Sequence, residues 1–340
     1  MSYISFQPKD YFNTKLYTGN ASTNAITGVG FQPDWTWIKG RGTTNAHMLF
    51  DAVRGVGEAI NSNTPNAEAT VSTAFTAFDS DGFTVGNYSE TNTNSENYVS
   101  WNWKAGTGQG SSNTDGSTNT TYTSVNTTAG FSISKWTPSG SAETVGHGLG
   151  AVPKVIITKN LGASQGWFTY HHSIGNTKYL LLNDTAAEAT DSTAWNNTTP
   201  TSSVFSVGSQ FGGSPYIAYC FAEKKGFSKF GSYTGNGSVT SPPFIYTGFK
   251  PAYVLIKAIN ATEQWGLIDN KRNTFNPVTE VAFPNSSSNG SNSGTDFLAN
   301  GFAPYTGDGI MNLNSSTNYI YMAFSEESIV SSNGVPAVAR

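Results

Sequence analysis

Apolar residues in this chain come in short runs rather than long stripes. "WTWIK" (35–39), "YVSWNW" (98–103), "VIITK" (155–159), "YIAYCF" (216–221), "YVLIK" (253–257) and "YIYMAF" (319–324) are rich in β-branched and aromatic residues. Clusters of Gly, Asn, Ser and Pro separate them, which is the pattern of strands joined by turns. No window of a dozen residues repeats its apolar positions every 3.6 residues. The best helical candidate, "DTAAEATDSTAW" (184–195), lacks an apolar face. The pattern predicts an all-β chain.

The runs also recur. "GFQPDWTWIKG" from Gly30 returns as "GAVPKVIITK" from Gly150 and "GFKPAYVLIK" from Gly248. "NYVSWNWKAG" from Asn97 returns as "PYIAYCFAEK" from Pro215 and "NYIYMAFSEE" from Asn318, and "LYTGNAS", "KWTPSGS" and "SYTGNGS" mark the start of each copy. Three landmarks in one order, three times over, give three related units of roughly 100 residues. Each is expected to be an antiparallel β-sandwich of jelly-roll or lectin-like type. The boundaries read as an N-terminal docking segment (1–12), repeat 1 (13–106), a Gly/Ser/Thr-rich linker (107–129), repeat 2 (130–225), repeat 3 (226–327) and a C-terminal tail (328–340). "TYTSV" is a short strand candidate within the linker, and units in series would make a stiff rod or knob.

The repeat decides how Trp35 and Trp37 are read. Their counterparts are Val155 with Ile157, and Tyr253 with Leu255. A ligand-stacking platform would not tolerate aliphatic residues in its sister copies, whereas a buried strand face needs only volume and apolarity. The same comparison places Trp101 and Trp103 inside, against Tyr219 with Phe221 and Met322 with Phe324.

Composition narrows function by exclusion. Charged residues make up 12% of the chain and aromatic ones 13%, with 8 Trp, 16 Tyr and 21 Phe, so the chain folds around a core behind a polar, weakly charged surface. A net charge of −4 and the lack of any Lys/Arg cluster argue against nucleic acid as a partner. No stretch approaches 18 apolar residues, the N-terminus "MSYISFQPKDYF" lacks a secretory signal, and Cys220 is alone. These features point to assembly in a reducing cytoplasm.

Catalytic and metal constellations are not visible. His47, His147, His171 and His172 have no ligand spacing, since adjacent strand residues point to opposite faces. Asp79 and Asp81 in "FDSDGF" lack the further oxygens of a calcium loop. No nucleophile elbow or marked carboxylate pair occurs. No enzyme, cofactor or metal is therefore expected. Lys39, Lys159 and Lys257 close the same strand in all three units. Asp51 matches Asp269 and Arg54 matches Arg272, while repeat 2 has His171 and Ile174 there. The expectation is a lysine whose ammonium reaches the core rim near the acid, an exposed pair contributing about 1 kcal/mol or less.

The series "NTKLYTGN…ITGVGFQPDWTWIKGR…HMLFDAVRG…FDSDGFTVG…NYVSWNWKAG" resembles a tandem β-domain of tailed phages of marine bacteria, of the cyanophage and pelagiphage kind. The resemblance is closest over residues 13–106 and weakens toward the third unit. It implies a tail-fibre or other virion structural protein, a host-recognition role, partners among tail or capsid proteins, and a homo-oligomer, a trimer by analogy with fibres. A host surface polysaccharide or outer-membrane protein would be the receptor. A capsid decoration or tail connector protein is the alternative, and a polysaccharide depolymerase the third reading. Long polar loops are the binding candidates. They are 186–203, with Trp195, Asn196 and Asn197, and 284–296, with Asn285, Asn289, Asn292 and Asp296.

Overall fold

In the computed structural model, which describes residues 6–327, the regular structure is almost wholly antiparallel β. The helical pieces are one turn at Pro8–Asp10 and one at Ser89–Asn92. The proposed tail, 328–340, and the first five residues of the N-terminal segment lie outside the described residues.

Each repeat builds one large and one small sheet. In repeat 1 the large sheet runs, in spatial order, Phe12–Thr18, Asn97–Trp103, Trp35–Gly40, Met48–Asp51, Glu58–Asn61 and Ala69–Thr70. The counterparts in repeat 2 are Phe131–Trp136, Tyr216–Phe221, Val155–Asn160, Phe168–His171, Lys178–Leu181 and Ala189–Thr190. Repeat 3 has Ser228–Thr234, Asn318–Phe324, Tyr253–Ala258 and Gly266–Asp269. Register is the same in all three. Trp35 lies opposite Trp103 and Asp51, Val155 opposite Phe221 and His171, and Tyr253 opposite Phe324 and Asp269. The small sheets are Asn24–Thr27 with Gly82–Val85 and Ala77–Asp79; Glu143–Gly146 with Val204–Val207; and Ile245–Tyr246 with Gly301–Pro304, Ser291–Leu298 and Val278–Val281.

The central strands are buried on both faces. Alternation along a strand sends alternate side chains to opposite sides of the sheet. One side meets the small sheet of its own repeat: Ile38 with Met48, Phe50 and Phe83; Ile156 with Trp136 and Phe205; Val254 and Ile256 with Phe297 and Phe302. The other side enters a core common to all three repeats, where Trp35, Trp37, Trp101 and Trp103 meet Phe131, Ile157, Tyr219, Tyr253 and Phe324. Trp35 stacks on Tyr219 of repeat 2 at 4.4 Å between ring centroids, and Trp103 packs edge-on to Tyr253 of repeat 3 at 5.4 Å. All four tryptophans are interior, as their sister residues imply.

The units are therefore not strung in series, as a rod would require; they close into a ring around a shared core. The seams repeat head to tail. Lys159 of repeat 2 donates to the Pro65 carbonyl of repeat 1, Lys257 of repeat 3 to Thr185 of repeat 2, and Lys39 of repeat 1 to Ser287 of repeat 3. Such heterologous contacts close when the rotation between copies is one third of a turn.

Two connecting segments are ordered rather than free. The 107–129 stretch supplies Tyr122–Asn126, a further strand on the second large sheet, and Thr118 bridges Val145. Asp34 fixes its start by accepting the backbone N–H groups of Ala105, Thr107 and Gly108. Within the N-terminal segment, Phe6 packs edge-on against Phe227 at 5.5 Å, so residues 6–12 dock on the chain's own third repeat.

Candidate functional site

The seam between repeats 1 and 3 opens into a polar cleft of about 510 Å³. Arg41 and Gly42 follow the central strand of repeat 1, and Glu96 precedes and Asn97 begins its last strand. Glu280 and residues 289–292 come from the edge of the third small sheet. Arg41 Nη2 donates to both Glu280 oxygens at 3.0 and 3.2 Å, tying the two walls together. The Gly42 N–H donates to Glu96 Oε1 at 2.7 Å, and Asn289 Nδ2 to the Gly42 carbonyl at 3.3 Å. The turn carrying Asn289 depends on Gly290, whose φ of +86° is in the left-handed region and whose Cβ would stand 1.8 Å from the Val281 carbonyl oxygen. Arg41 Nε is buried without a hydrogen-bond partner. The cleft thus presents guanidinium and amide donors beside carboxylate and carbonyl acceptors, the mixture that hydroxyl groups need.

The loop candidates divide. Trp195 is 1% exposed and packs on Tyr170 and Phe211 in the second repeat's own core, so it is not a surface stacking ring. Its neighbours Asn196 and Asn197 are exposed on a left-handed turn, with φ of +49° and +48°. Asn285 is structural: its Oδ1 accepts the Trp265 N–H and its Nδ2 donates to Gln264. The same role falls to Asn183 toward Trp167, and to Asn63 toward His47. Asn289 and Asn292 line the cleft. The 284–296 stretch is only half loop, because Ser291–Leu298 is a strand with Ser293 and Thr295 buried. Asp296 lies on that strand, half-buried, and burial raises its carboxyl above the usual range. Sequence reading missed Arg41, Glu96 and Glu280. The available signal was a break in the repeat: position 41 is Arg where its counterparts are Leu161 and Ile259.

The repeated charged positions are structural, and differently from expectation. None of the three lysines pairs with the matched acid. Each is buried, with its ammonium on carbonyls: Lys39 on Thr43, Asn45 and Ser287; Lys159 on Pro65, Asn160 and Gln165; Lys257 on Thr185, Ala258 and Ala261. This is why repeat 2 keeps its lysine without the acid. Asp51 and Asp269 instead bind Arg54 and Arg272 of their own repeats. Each also accepts a donor across a seam, Tyr219 OH at 2.7 Å for Asp51 and Trp101 Nε1 at 3.1 Å for Asp269. Trp101, Tyr219 and Met322 are equivalent positions. Where His171 replaces the acid, the equivalent cross-seam position is Met322, which has no proton to give, and His171 Nε2 lies instead 3.3 Å from the Tyr321 carbonyl of repeat 3.

Other reactive groups are engaged in the fold. His47 Nδ1 accepts from Trp37 Nε1 at 2.8 Å, and His147, His171 and His172 contact the carbonyls of Thr201, Tyr321 and Phe230. Asp81 accepts the Gly28 and Gly30 N–H groups, and Asp79 accepts Thr84 Oγ1. Burial pushes the Cys220 thiol well above its ordinary range. Among the described residues no three His, Cys, Asp or Glu side chains are grouped to hold a metal ion.

Residues 7–328 match the domain of unknown function DUF7483, and the chain belongs to that family. The match spans all three repeats, in keeping with their common core. No curated protein and no solved structure matches.

Proposed function

We propose that this member of the DUF7483 family is a non-enzymatic structural component of a tailed-phage virion, a tail fibre or tail-associated protein that meets the host surface. The observation that carries the reading is the cleft between repeats 1 and 3, a wide polar recess of donors and acceptors whose Glu96 and Glu280 carboxylates are engaged by the Gly42 N–H and by Arg41. Three sandwiches locked by lysine–carbonyl seams around one core make a stiff mount for such a recess. The resemblance of residues 13–106 to tandem domains of marine tailed phages supplies the virion context. Assembly in the host cytoplasm accords with a lone buried cysteine.

Two measurements test the reading. Gold-labelled antibody against the chain should decorate the tail or its baseplate on intact particles, and the purified chain should compete with particles for adsorption to host cells. Decoration of the capsid shell without competition would replace host recognition by a decoration role.

A further inference from the structure

The third small sheet differs from its two sisters in what it shows to solvent. Ile26, Val145 and Ile245 are equivalent inward residues, opposite Phe83, Phe205 and Phe302. Their flanking, outward positions are Ala25 and Thr27 in repeat 1, Thr144 and Gly146 in repeat 2, and Phe244 and Tyr246 in repeat 3. In repeat 2 this edge is occupied by the chain itself. Ser117 N–H donates to Thr144 Oγ1 at 2.8 Å, and a Cβ on Gly146 would strike Asn113. In repeat 3 the edge is open, and Phe244 and Tyr246 are 52% and 62% exposed.

These rings lie at one end of a continuous row. The strand Ser291–Leu298 turns Ser293, Thr295 and Phe297 inward, so Asn292, Gly294, Asp296 and Leu298 face out. Asn292 is in the cleft. Gly294 lies beside Pro277 and the half-exposed Tyr305, Asp296 pairs with Ala303, and Leu298 pairs with Gly301, over which the Phe244 ring sits. From Asn292 to Leu298 the row is about 20 Å long at a strand's rise per residue. Its floor is low at Gly294, while Ala303 and Gly301 are buried, Gly301 beneath the Phe244 ring, and aromatic rings stand at Tyr305 and again at Phe244 and Tyr246.

We infer that this row is a binding track for a neutral oligosaccharide chain, entered at the Arg41–Glu280 cleft and ending on Phe244 and Tyr246. It rests on the host-surface reading above and names the ligand class of that site. The rings of Tyr305, Phe244 and Tyr246 offer flat apolar faces to the C–H faces of sugar rings, while Asn292 and Asp296 along the row meet hydroxyl groups. Charge selects against acidic polymers. The four strands of the sheet carry Glu280 and Asp296 and neither Lys nor Arg, and Arg41 is already paired with Glu280.

Isothermal titration of the full chain with maltohexaose, cellohexaose and mannohexaose, and with hexagalacturonate as the acidic control, tests the track. At least one neutral hexamer should bind and hexagalacturonate should not. Phe244→Ala with Tyr246→Ala should weaken the neutral hexamer about tenfold or more at unchanged melting temperature, since both rings are exposed. Asn292→Ala, at the other end of the row, should weaken it separately. Binding that these variants leave unchanged overturns the track, as does no binding of any neutral hexamer by a chain that competes for adsorption; in both cases the host-surface role survives. Loss of particle incorporation in the Phe244/Tyr246 variant, with no glycan heat, would make this face a protein contact and overturn the proposal. A chain that binds the hexamer but does not label the tail keeps the track and removes the virion reading.

Discussion

The ammonium of Lys39 donates to the backbone carbonyl of Ser287 at 3.1 Å, joining positions 248 residues apart. Lys159 with Pro65 and Lys257 with Thr185 repeat that relation at the other two seams. A long, buried stem delivers one charge to carbonyls of two repeats at once, so the lysine is a clasp rather than an ion-pair partner.

Lys257→Met removes the clasp while keeping the stem's bulk. The Thr185 and Ala258 carbonyls lose donors at 3.0 and 2.8 Å, and the expected loss is about 2–3 kcal/mol, more than an exposed ion pair would give. Urea unfolding measures it, with the exposed Lys9→Met as the neutral comparison.

Arg54→Met should cost about 3–5 kcal/mol, because it strands the carboxylate of Asp51, which is buried and keeps only the Tyr219 hydroxyl and backbone as partners. Met322→Leu, at the position equivalent to Tyr219, should cost less than about 1.5 kcal/mol, since no polar group depends on it. Equal losses in the two variants would refute the seam network.

Stability should pass through a maximum on the alkaline side of neutrality. Burial pulls Lys39, Lys159 and Lys257 from 10.5 down to about 8. Between those values the unfolded chain holds more protons than the native one, so stability rises with pH there. Burial holds Tyr17, Tyr219, Tyr233 and Tyr253 well above 10, which reverses the slope from pH 10 upward. On the acid side, burial lowers His171 from 6.5 to about 3, so stability falls as pH drops through that interval. Melting temperatures from pH 3 to 11 should trace this dome, and His171→Asn should flatten its acid limb.

Trp195→Ala should cost about 3–5 kcal/mol by opening the second repeat's own core. A stability change below about 1 kcal/mol in calorimetric melting would return Trp195 to the surface.

Much of this architecture is written in the residues. Landmark prolines, glycines and aromatic runs carry the threefold plan, and the alignment of Trp35 with Val155 and Tyr253 becomes the observed register because side-chain alternation leaves no slack. The ring was less visible, although "WTWIK" and "VIITK" are apolar on both faces, the mark of strands covered on both sides. Which surface covers the second face depends on contacts between residues more than a hundred positions apart, for which the chain has no local signal. "SNSGTD" (291–296) read as loop because Asn, Gly and Asp have low strand propensity; hydrogen bonds to Gly301–Pro304 override it. Asn292 and Asp296, chosen as loop residues, thus reappear as alternate positions of one strand. Arg41 and Glu280 meet only once the ring closes, beyond reach of any spacing argument.

Only two of the three seams are spanned by the continuous chain; side-chain contacts, Lys39 to Ser287, Ser62 to Pro284 and Arg41 to Glu280 among them, hold the one between repeats 1 and 3. An assembly of three identical subunits would be obliged to repeat every surface three times. Covalent fusion lifts that obligation. One seam could widen into a recess and one outer face gain exposed rings, while the lysine clasps and the shared core kept the frame in which all three copies fit.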